Sequence, residues 1–278
     1  MKSVMDYFYQ PFAKNESIRI LQITDTHLFA KKNEQLLGVN TTNSFQAVLD
    51  AILDRQFRFD LVLATGDLVQ DHNEQGYHYF AEMVKPLEKP LFWLQGNHDQ
   101  LQMEKPLQQY SQIKSQKHIL VGDKWQILML DSQVFGVPHG KLSSYQLDWL
   151  KVKLAENSER YTLIALHHNI LPTHSAWLDQ HSLRNVHDLA KIVKPYNKIK
   201  AIIHGHIHQE MDKLWKGIRI LSTPSTCIQF KPHSNNFALD LIPQGWRELV
   251  LHPDGSIDSE VKRLATNEFL PDFSAEGY

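Results

Sequence analysis

The chain reads as an α/β protein in which two mixed sheets pack face to face with helices outside. Three observations predict this. Apolar runs of strand character alternate with stretches of helical period over the first two thirds. In the last third, short apolar runs follow one another across turn residues, the pattern of hairpins. No internal repeat, low-complexity tract or linker interrupts residues 1–278, and 42% apolar residues suffice for a sizeable core, so one domain is expected.

In order, residues 1–16 form a polar and aromatic lead-in without a clear period. The first strand, 18–24, delivers Asp25-Thr26-His27. Residues 30–42, with Lys31, Lys32, Asn33 and Gly38, read as a loop over the site. A helix carrying Phe45, Val48, Leu49 and Ile52 leads to the second strand, 61–65, which ends in Gly66-Asp67. Tyr77, Phe80, Ala81, Val84 and Leu87 then repeat at helical spacing until Lys89-Pro90 stops them. The third strand, 91–95, runs into Gly96-Asn97-His98-Asp99.

Residues 101–117 read as a short helix and loop, followed by a hairpin over 118–121 and 125–130 that turns at Gly122-Asp123. Ser143-Ser144 is the candidate N-cap of a helix over 145–155, with Leu147, Leu150 and Leu154 on one face. A strand at 161–166 ends in His167-His168-Asn169, and helical stretches fill 176–194. The strand 199–203 runs into His204-Gly205-His206-Ile207-His208. Beyond it, strands near 217–222, 236–242, 247–252 and 257–263 are joined by Pro243-Gln244-Gly245 and Pro253-Asp254-Gly255. Residues 217–278 are expected to supply hairpin strands of the second sheet.

Composition narrows the function. A formal net charge of -2 and a pI near 6.8 give no global basic field, which disfavours a nucleic-acid polymer as partner. The lone Cys227 excludes an intramolecular disulfide and fits a reducing compartment. Residues 1–13 lack a basic segment followed by an apolar one, and no run approaches the roughly 18 residues of a membrane span. The expectation is a cytoplasmic protein with no membrane and no obligate protein partner. Sixteen histidines are the anomaly. His72, His78, His118, His181, His187, His233 and His252 lack a strand-end context and are assigned no role.

Five apolar runs end in side chains that bind metals or move protons, at the carboxyl ends of strands where open α/β sheets place their chemistry. Asp25 and His27, two apart on an extended segment, would point to one side, as would His206 and His208. Asp67 carries two oxygens able to bridge two cations, Asn97 a carbonyl oxygen, and His167 a neutral nitrogen. Mixed nitrogen and oxygen ligation by Asp25, His27, Asp67, Asn97, His167, His206 and His208 suits manganese, iron, zinc, cobalt or nickel. It argues against calcium and exceeds the shell of a lone zinc. Two ions about 3.5–4 Å apart, bridged by Asp67, would use all seven. Set against Asp25, Asp67 and one hydroxide, they leave about +1, which suits a phosphodiester monoanion.

Taken together, Asp25-x-His27, Gly66-Asp67, Gly96-Asn97-His98-Asp99, His167 and Gly205-His206-Ile207-His208 resemble, in order, the five motifs of the calcineurin-like metallophosphoesterases. The closer resemblance is to the bacterial class III 3′,5′-cyclic AMP phosphodiesterases. It extends to His208-Gln209-Glu210, to the stretch from Thr223-Pro224-Ser225 through Lys231-Pro232, and to the ending Ser274-Ala275-Glu276-Gly277-Tyr278. The resemblance implies a four-layer α-β-β-α sandwich and two divalent ions, iron or manganese. Asp25, His27 and His208 would hold one ion, Asn97, His167 and His206 the other, with Asp67 between. It implies in-line attack of a metal-bridging hydroxide on cyclic AMP, and nucleotide contacts from His27, Asp67, Asn97, His98 and His208. His98 becomes the catalytic group that stabilises phosphoryl oxygens or protonates the leaving group, with Asp99 holding its ring.

Other readings stand beside this one. A hydrolase of the same fold could act on 2′,3′-cyclic nucleotides, glycerophosphodiesters or phosphoproteins, and a non-catalytic scaffold could keep the fold alone. His168 reads as lining the pocket and His204 as lying behind the ligands. Cys227 and Trp93 read as core, and Asn40, Asn73 and His139 could approach a nucleotide from loops.

Overall fold

A computed structural model describes residues 7–99 and 103–274. Its spine is the strand Ile18–Ile23, which sits inside a six-stranded sheet. That sheet runs Ile257–Arg263, Gly245–Leu251, Ile18–Ile23, Leu61–Ala64, Leu91–Trp93, Ile113–Lys114, with the last four parallel. A seven-stranded sheet runs Phe8–Gln10, His118–Val121, Trp125–Met129, Tyr161–Ala165, Ile199–His204, Ile218–Ser222, Met211–Trp215. Trp125–Met129 through Ile218–Ser222 are parallel.

Alternation along the strands sorts side chains into layers. Ile20, Leu63 and Phe92 from one sheet meet Ile127, Leu163 and Ile203 from the other in the core between them. Leu21, Val62 and Trp93 point outward under the helices Thr41–Asp54 and Glu74–Val84, against Phe45, Val48, Tyr77 and Phe80. On the opposite side, Leu128, Ile164 and Ile202 lie under Ser144–Glu156 and Val186–Val193, which contribute Leu150, Leu154, Leu189 and Val193. The result is four layers, α-β-β-α. Because both faces of each sheet are covered, the central strands are apolar at nearly every position.

Local signals set the helix starts. Ser143 accepts from the Gln146 amide at 3.2 Å and opens Ser144–Glu156, as expected. Asn40 and Asn73 are also helix caps, accepting from Asn43 at 2.8 Å and Gln75 at 2.9 Å. Their side-chain oxygens are thus engaged at helix starts.

The C-terminal third departs from expectation. Gly245–Leu251 and Ile257–Arg263 form a hairpin, but it joins the first sheet, pairing with Ile18–Ile23. That placement covers what would be an open edge beside the central strand. Ile218–Ser222 joins the second sheet, partnered by an unexpected strand, Met211–Trp215. Residues 236–242 form no strand, only an isolated bridge between Phe230 and Leu239, since Asn236, Asp240 and Pro243 break the run. At the other end, part of the lead-in is a strand. Phe8–Gln10 pairs with His118–Val121, and Phe8 meets Phe92 edge-on at 5.1 Å. Within 30–42 lies a small hairpin, Gln35–Leu36 with Val39–Asn40, whose Leu36 and Val39 pack into the apolar layer rather than over the site.

Of the C-terminal motif, residues 275–278 lie outside the described residues. Among the described residues no helix is long and apolar enough to cross a membrane.

Candidate metal centre

Five parallel strands end where their loops converge. Asp25, His27, Asp67, Asn97 and His98 come from the six-stranded sheet, and His167, His206 and His208 from the seven-stranded one. Asp25, His27, Asp67, His206 and His208 all have φ between 45° and 67°. The left-handed region is one that Asp tolerates better than most residues and His occupies several-fold more often than average. The extended geometry expected for Asp25-x-His27 and His206-x-His208 is therefore absent, and the backbone coils at each of these residues.

The coiling brings the polar atoms together. Potential ligand atoms of Asp25, His27 and His208 lie within 4.8 Å of one another, as do those of Asp25, Asp67 and His167, and of His167, His168 and His206. Asp67 Oδ2 is 3.2 Å from His167 Nε2 and 3.9 Å from His27 Nε2. Asn97 Oδ1 lies 3.3 Å from His167 Nε2, and Asp25 Oδ1 lies 3.3 Å from His208 Nε2.

Hydrogen bonds behind the rings fix which nitrogen faces inward. Carbonyl oxygens only accept, so His167 Nδ1 donates to Thr65 O at 2.8 Å and His208 Nδ1 donates to Ile228 O at 2.9 Å. His27 Nδ1 is held by Gln70 Oε1 at 2.7 Å. Each ring in its neutral form thus turns a lone pair on Nε2 toward the centre. His27 Nε2 and His208 Nε2 face each other at 3.2 Å. Two lone pairs at that distance repel unless a positive charge lies between them. The buried His206 Nε2 has no hydrogen-bond partner among the described residues. Cations within the cluster would satisfy these atoms, so the donor set fits metal.

The electrostatics agree. Burial raises the Asp67 carboxyl, but positive charge on His167 and His98 outweighs it and holds the group well below its usual range. Burial likewise opposes a charged His167, yet Asp67 and Asp25 raise it to about 9. Burial takes His27 down to about 3, and His168 and His206 well below the ordinary histidine value. The carboxylates call for positive charge, and most of the histidines cannot supply it by protonation.

Close packing explains two glycines. A Cβ on Gly96 would collide with the Asp67 carboxylate and amide, and one on Gly205 with Thr24 and Asp25. Asp99 is not the expected brace for the His98 ring. It accepts from the amides of Gly96 (2.9 Å), Leu68 (3.1 Å) and Val69 (3.3 Å) and from the Tyr77 hydroxyl (3.1 Å), so it ties the Asp67 loop to the Asn97 loop.

A cavity of about 400 Å³ opens onto the cluster. Asp67, Asn97, His98 and His206 reach it, whereas His27 and His208 are buried beneath and do not line it. The rest of its wall is Phe135 to Pro138, Trp177, Leu178, Phe230, and two histidines assigned no role from sequence, His72 and His181.

A profile of the calcineurin-like phosphoesterase family matches residues 18–210. The chain belongs to that family. It is 54% identical over 273 residues to the 3′,5′-cyclic adenosine monophosphate phosphodiesterase CpdA of Haemophilus influenzae, covering 98% of each chain. It is 55% identical over 269 residues to the protein of the same name from Escherichia coli, covering 96% of this chain and 98% of that one. Among solved structures, a dimetal phosphatase from Danio rerio shares the fold with a TM-score of 0.61 at 13% identity, over 88% of this chain and 98% of that one. A purple acid phosphatase from yellow lupin does so at 0.63 and 13%, over 95% and 56%. Family membership and the donor set together fit a dinuclear metal centre.

All seven residues singled out from sequence as ligands meet in this cluster. His168 meets it too, its ring 4.7 Å from that of His206 and its Nδ1 2.8 Å from Ser132 Oγ. His204 is buried behind, with burial taking it down to about 4. Gln70, which holds His27 Nδ1, is a side chain behind the cluster that sequence reasoning missed. Its one signal is its place three residues past Asp67. The carbonyls of Thr65 and Ile228 have no side-chain signal at all.

Proposed function

We propose that this protein hydrolyses 3′,5′-cyclic AMP to 5′-AMP at a dinuclear metal centre. Near-full-length identity above one half to two enzymes named as 3′,5′-cyclic AMP phosphodiesterases carries this reading. Asp25, His27 and His208 would hold one divalent ion and Asn97, His167 and His206 the other. Asp67 lies between, since its Oδ2 is within 4 Å of His27 Nε2 and of His167 Nε2. The mixed nitrogen and oxygen ligands admit several divalent transition ions, and the family resemblance selects iron(II) or manganese(II) among them. When bound, the ions supply Lewis-acid charge and an activated water at neutral pH.

The chain's own residues do the rest. Asp67 Oδ1 accepts from the His98 amide at 2.8 Å, which fixes the turn that carries the His98 ring into the cavity beside the ligands. Burial lowers the proton affinity of that ring. Its place beside the proposed ligands lets it pass a proton to the departing O3′ once the charge of the bound phosphodiester has raised its proton affinity again. The buried ligand loops keep Asn97 and Asp67 in place without reorganisation during the reaction. A single domain accords with the two sheets sharing one cluster, and a cytoplasmic location with the lone buried Cys227.

The deciding experiment is turnover by the manganese- or iron-loaded protein of 3′,5′-cyclic AMP, cyclic GMP, 2′,3′-cyclic AMP, a glycerophosphodiester and a phosphomonoester. Conversion of 3′,5′-cyclic AMP to 5′-AMP is the expected result. Absence of that product, with fast turnover of another member of the panel, overturns the proposal.

A further inference from the structure

One wall of the cavity is unexplained by the metal centre. Phe135 is 66% exposed and belongs to none of the three apolar clusters, yet it lines the cavity that ends at Asp67 and Asn97. The backbone places it there deliberately. Val137 N–H donates to Val134 O at 3.3 Å, and Gly136 has φ 80°, so residues 134–137 form a tight turn with Phe135 at its tip. The turn is anchored to the ligand loop. Gln133 donates from Nε2 to Gly96 O at 2.8 Å and to Asp99 O at 2.5 Å. Lys141 N–H closes the base of the loop on Ser132 O at 2.9 Å.

Another aromatic wall is built differently. Trp177 packs edge-on against Phe230 at 5.0 Å, and Phe230 in turn stacks on the ligand His208 at 4.3 Å and 13°. One side of the cavity is thus continuous with the metal site, and the turn at 134–137 presents a ring with an open face. A volume of about 400 Å³ holds a nucleotide rather than a bare phosphate.

We propose that Phe135 is a base-stacking platform, which takes the purine while the phosphodiester lies at the Asp67 and Asn97 end. This deepens the phosphodiesterase reading and rests on it. An aromatic face held by a glycine turn loses little freedom on binding, and a base stacked on such a face gains from desolvation without needing sequence-specific hydrogen bonds. Phe135 therefore sets affinity for the nucleoside part of the substrate and leaves the chemistry untouched.

The test compares wild type, Phe135→Ala and Phe135→Trp, each loaded with manganese, on 3′,5′-cyclic AMP and on a 3′,5′-cyclic ribose phosphate that carries a methoxy group in place of adenine. Phe135→Ala should raise KM for cyclic AMP about 5- to 30-fold, leave kcat/KM for the base-free diester unchanged, and be rescued by Phe135→Trp. An unchanged KM for cyclic AMP, or an equal loss on both diesters, overturns the platform. Should the wild type not turn over cyclic AMP, the phosphodiesterase reading fails separately. The platform is then read by equilibrium binding of 5′-AMP against ribose 5-phosphate. Tighter binding of AMP that Phe135→Ala abolishes sustains it, and equal affinity overturns it.

Discussion

Leu68 and Asp99 are joined across two loops: the Leu68 amide lies 3.1 Å and 3.3 Å from the two oxygens of the Asp99 carboxyl. Three further donors, from Gly96, Val69 and Tyr77, meet the same group. Asp99 is fully buried, and burial with the nearby Asp67 charge lifts it to about 7. Replacing it by alanine leaves those donors without an acceptor. Asp99→Ala should cost about 3 kcal/mol or more in a urea unfolding titration and reduce bound metal measured by atomic emission. Normal metal content in a fully stable variant would contradict the tie.

Gln70 offers a gentler test. Its Oε1 orients His27 from outside the ligand set, at 2.7 Å from Nδ1. Gln70→Leu keeps the approximate volume and removes the acceptor, so His27 loses its fixed tautomer. Metal affinity should fall about 10-fold or more while unfolding by urea stays within about 1 kcal/mol of wild type. Isothermal titration with manganese separates the two effects, and an unchanged Kd would show that His27 needs no orienting partner.

The acid role of His98 depends on the leaving group. His98→Ala should lower kcat on cyclic AMP by about 10²- to 10⁴-fold. On bis(4-nitrophenyl) phosphate, whose leaving group departs without a proton, the loss should be far smaller. Metal content should match wild type in both cases. Equal losses on the two substrates would leave His98 as a phosphate-binding group only.

Lys117 supplies a prediction away from the centre. Its ammonium lies 3.4 Å from the centroid of the Trp93 ring and donates to the Trp93 carbonyl. Burial brings it down to about 7, against partial support from Glu104 and Asp131. The unfolded lysine keeps its proton to about pH 10.4. Between about pH 7 and 10.4 the unfolded chain therefore binds more protons, so this group makes stability rise with pH over that window. Lys117→Met removes the slope. Relative to wild type it should gain most at pH 7 and progressively less toward pH 10, followed by urea unfolding at three pH values. A difference independent of pH would show that the ammonium is better solvated than its surroundings suggest.

The ends of the strands were the most legible part of the sequence. Runs such as Leu61–Ala64 and 201–203 are apolar because both faces are covered, and the polar residues just past each run, Asp67 and His206, sit at the centre. Which sheet a later strand joins was not legible. Gly245–Leu251 has an apolar pattern compatible with either sheet, and only pairing with Ile18–Ile23 decides it. The backbone at the ligands was equally hidden. Aspartate and histidine tolerate both extended and left-handed φ, so Asp25-x-His27 is silent about which it adopts. Phe135 gives no such signal, because the short run Val134-Phe135-Gly136-Val137-Pro138 has neither strand nor helix period. Its meaning comes from the Gly136 turn and from Gln133, whose partners lie more than thirty residues away.

The division of the proposed ligands between two sheets has a mechanical consequence. Asp25, His27, Asp67 and Asn97 ride on one slab of the sandwich, and His167, His206 and His208 on the other. A slip of one slab against the other by a single strand residue, about 3.3 Å, exceeds the tolerance of any coordination bond. On the proposed ligand set, metal occupancy would gauge how the two slabs are registered, and a mutation deep between them, remote from the cluster, should announce itself first as lost metal.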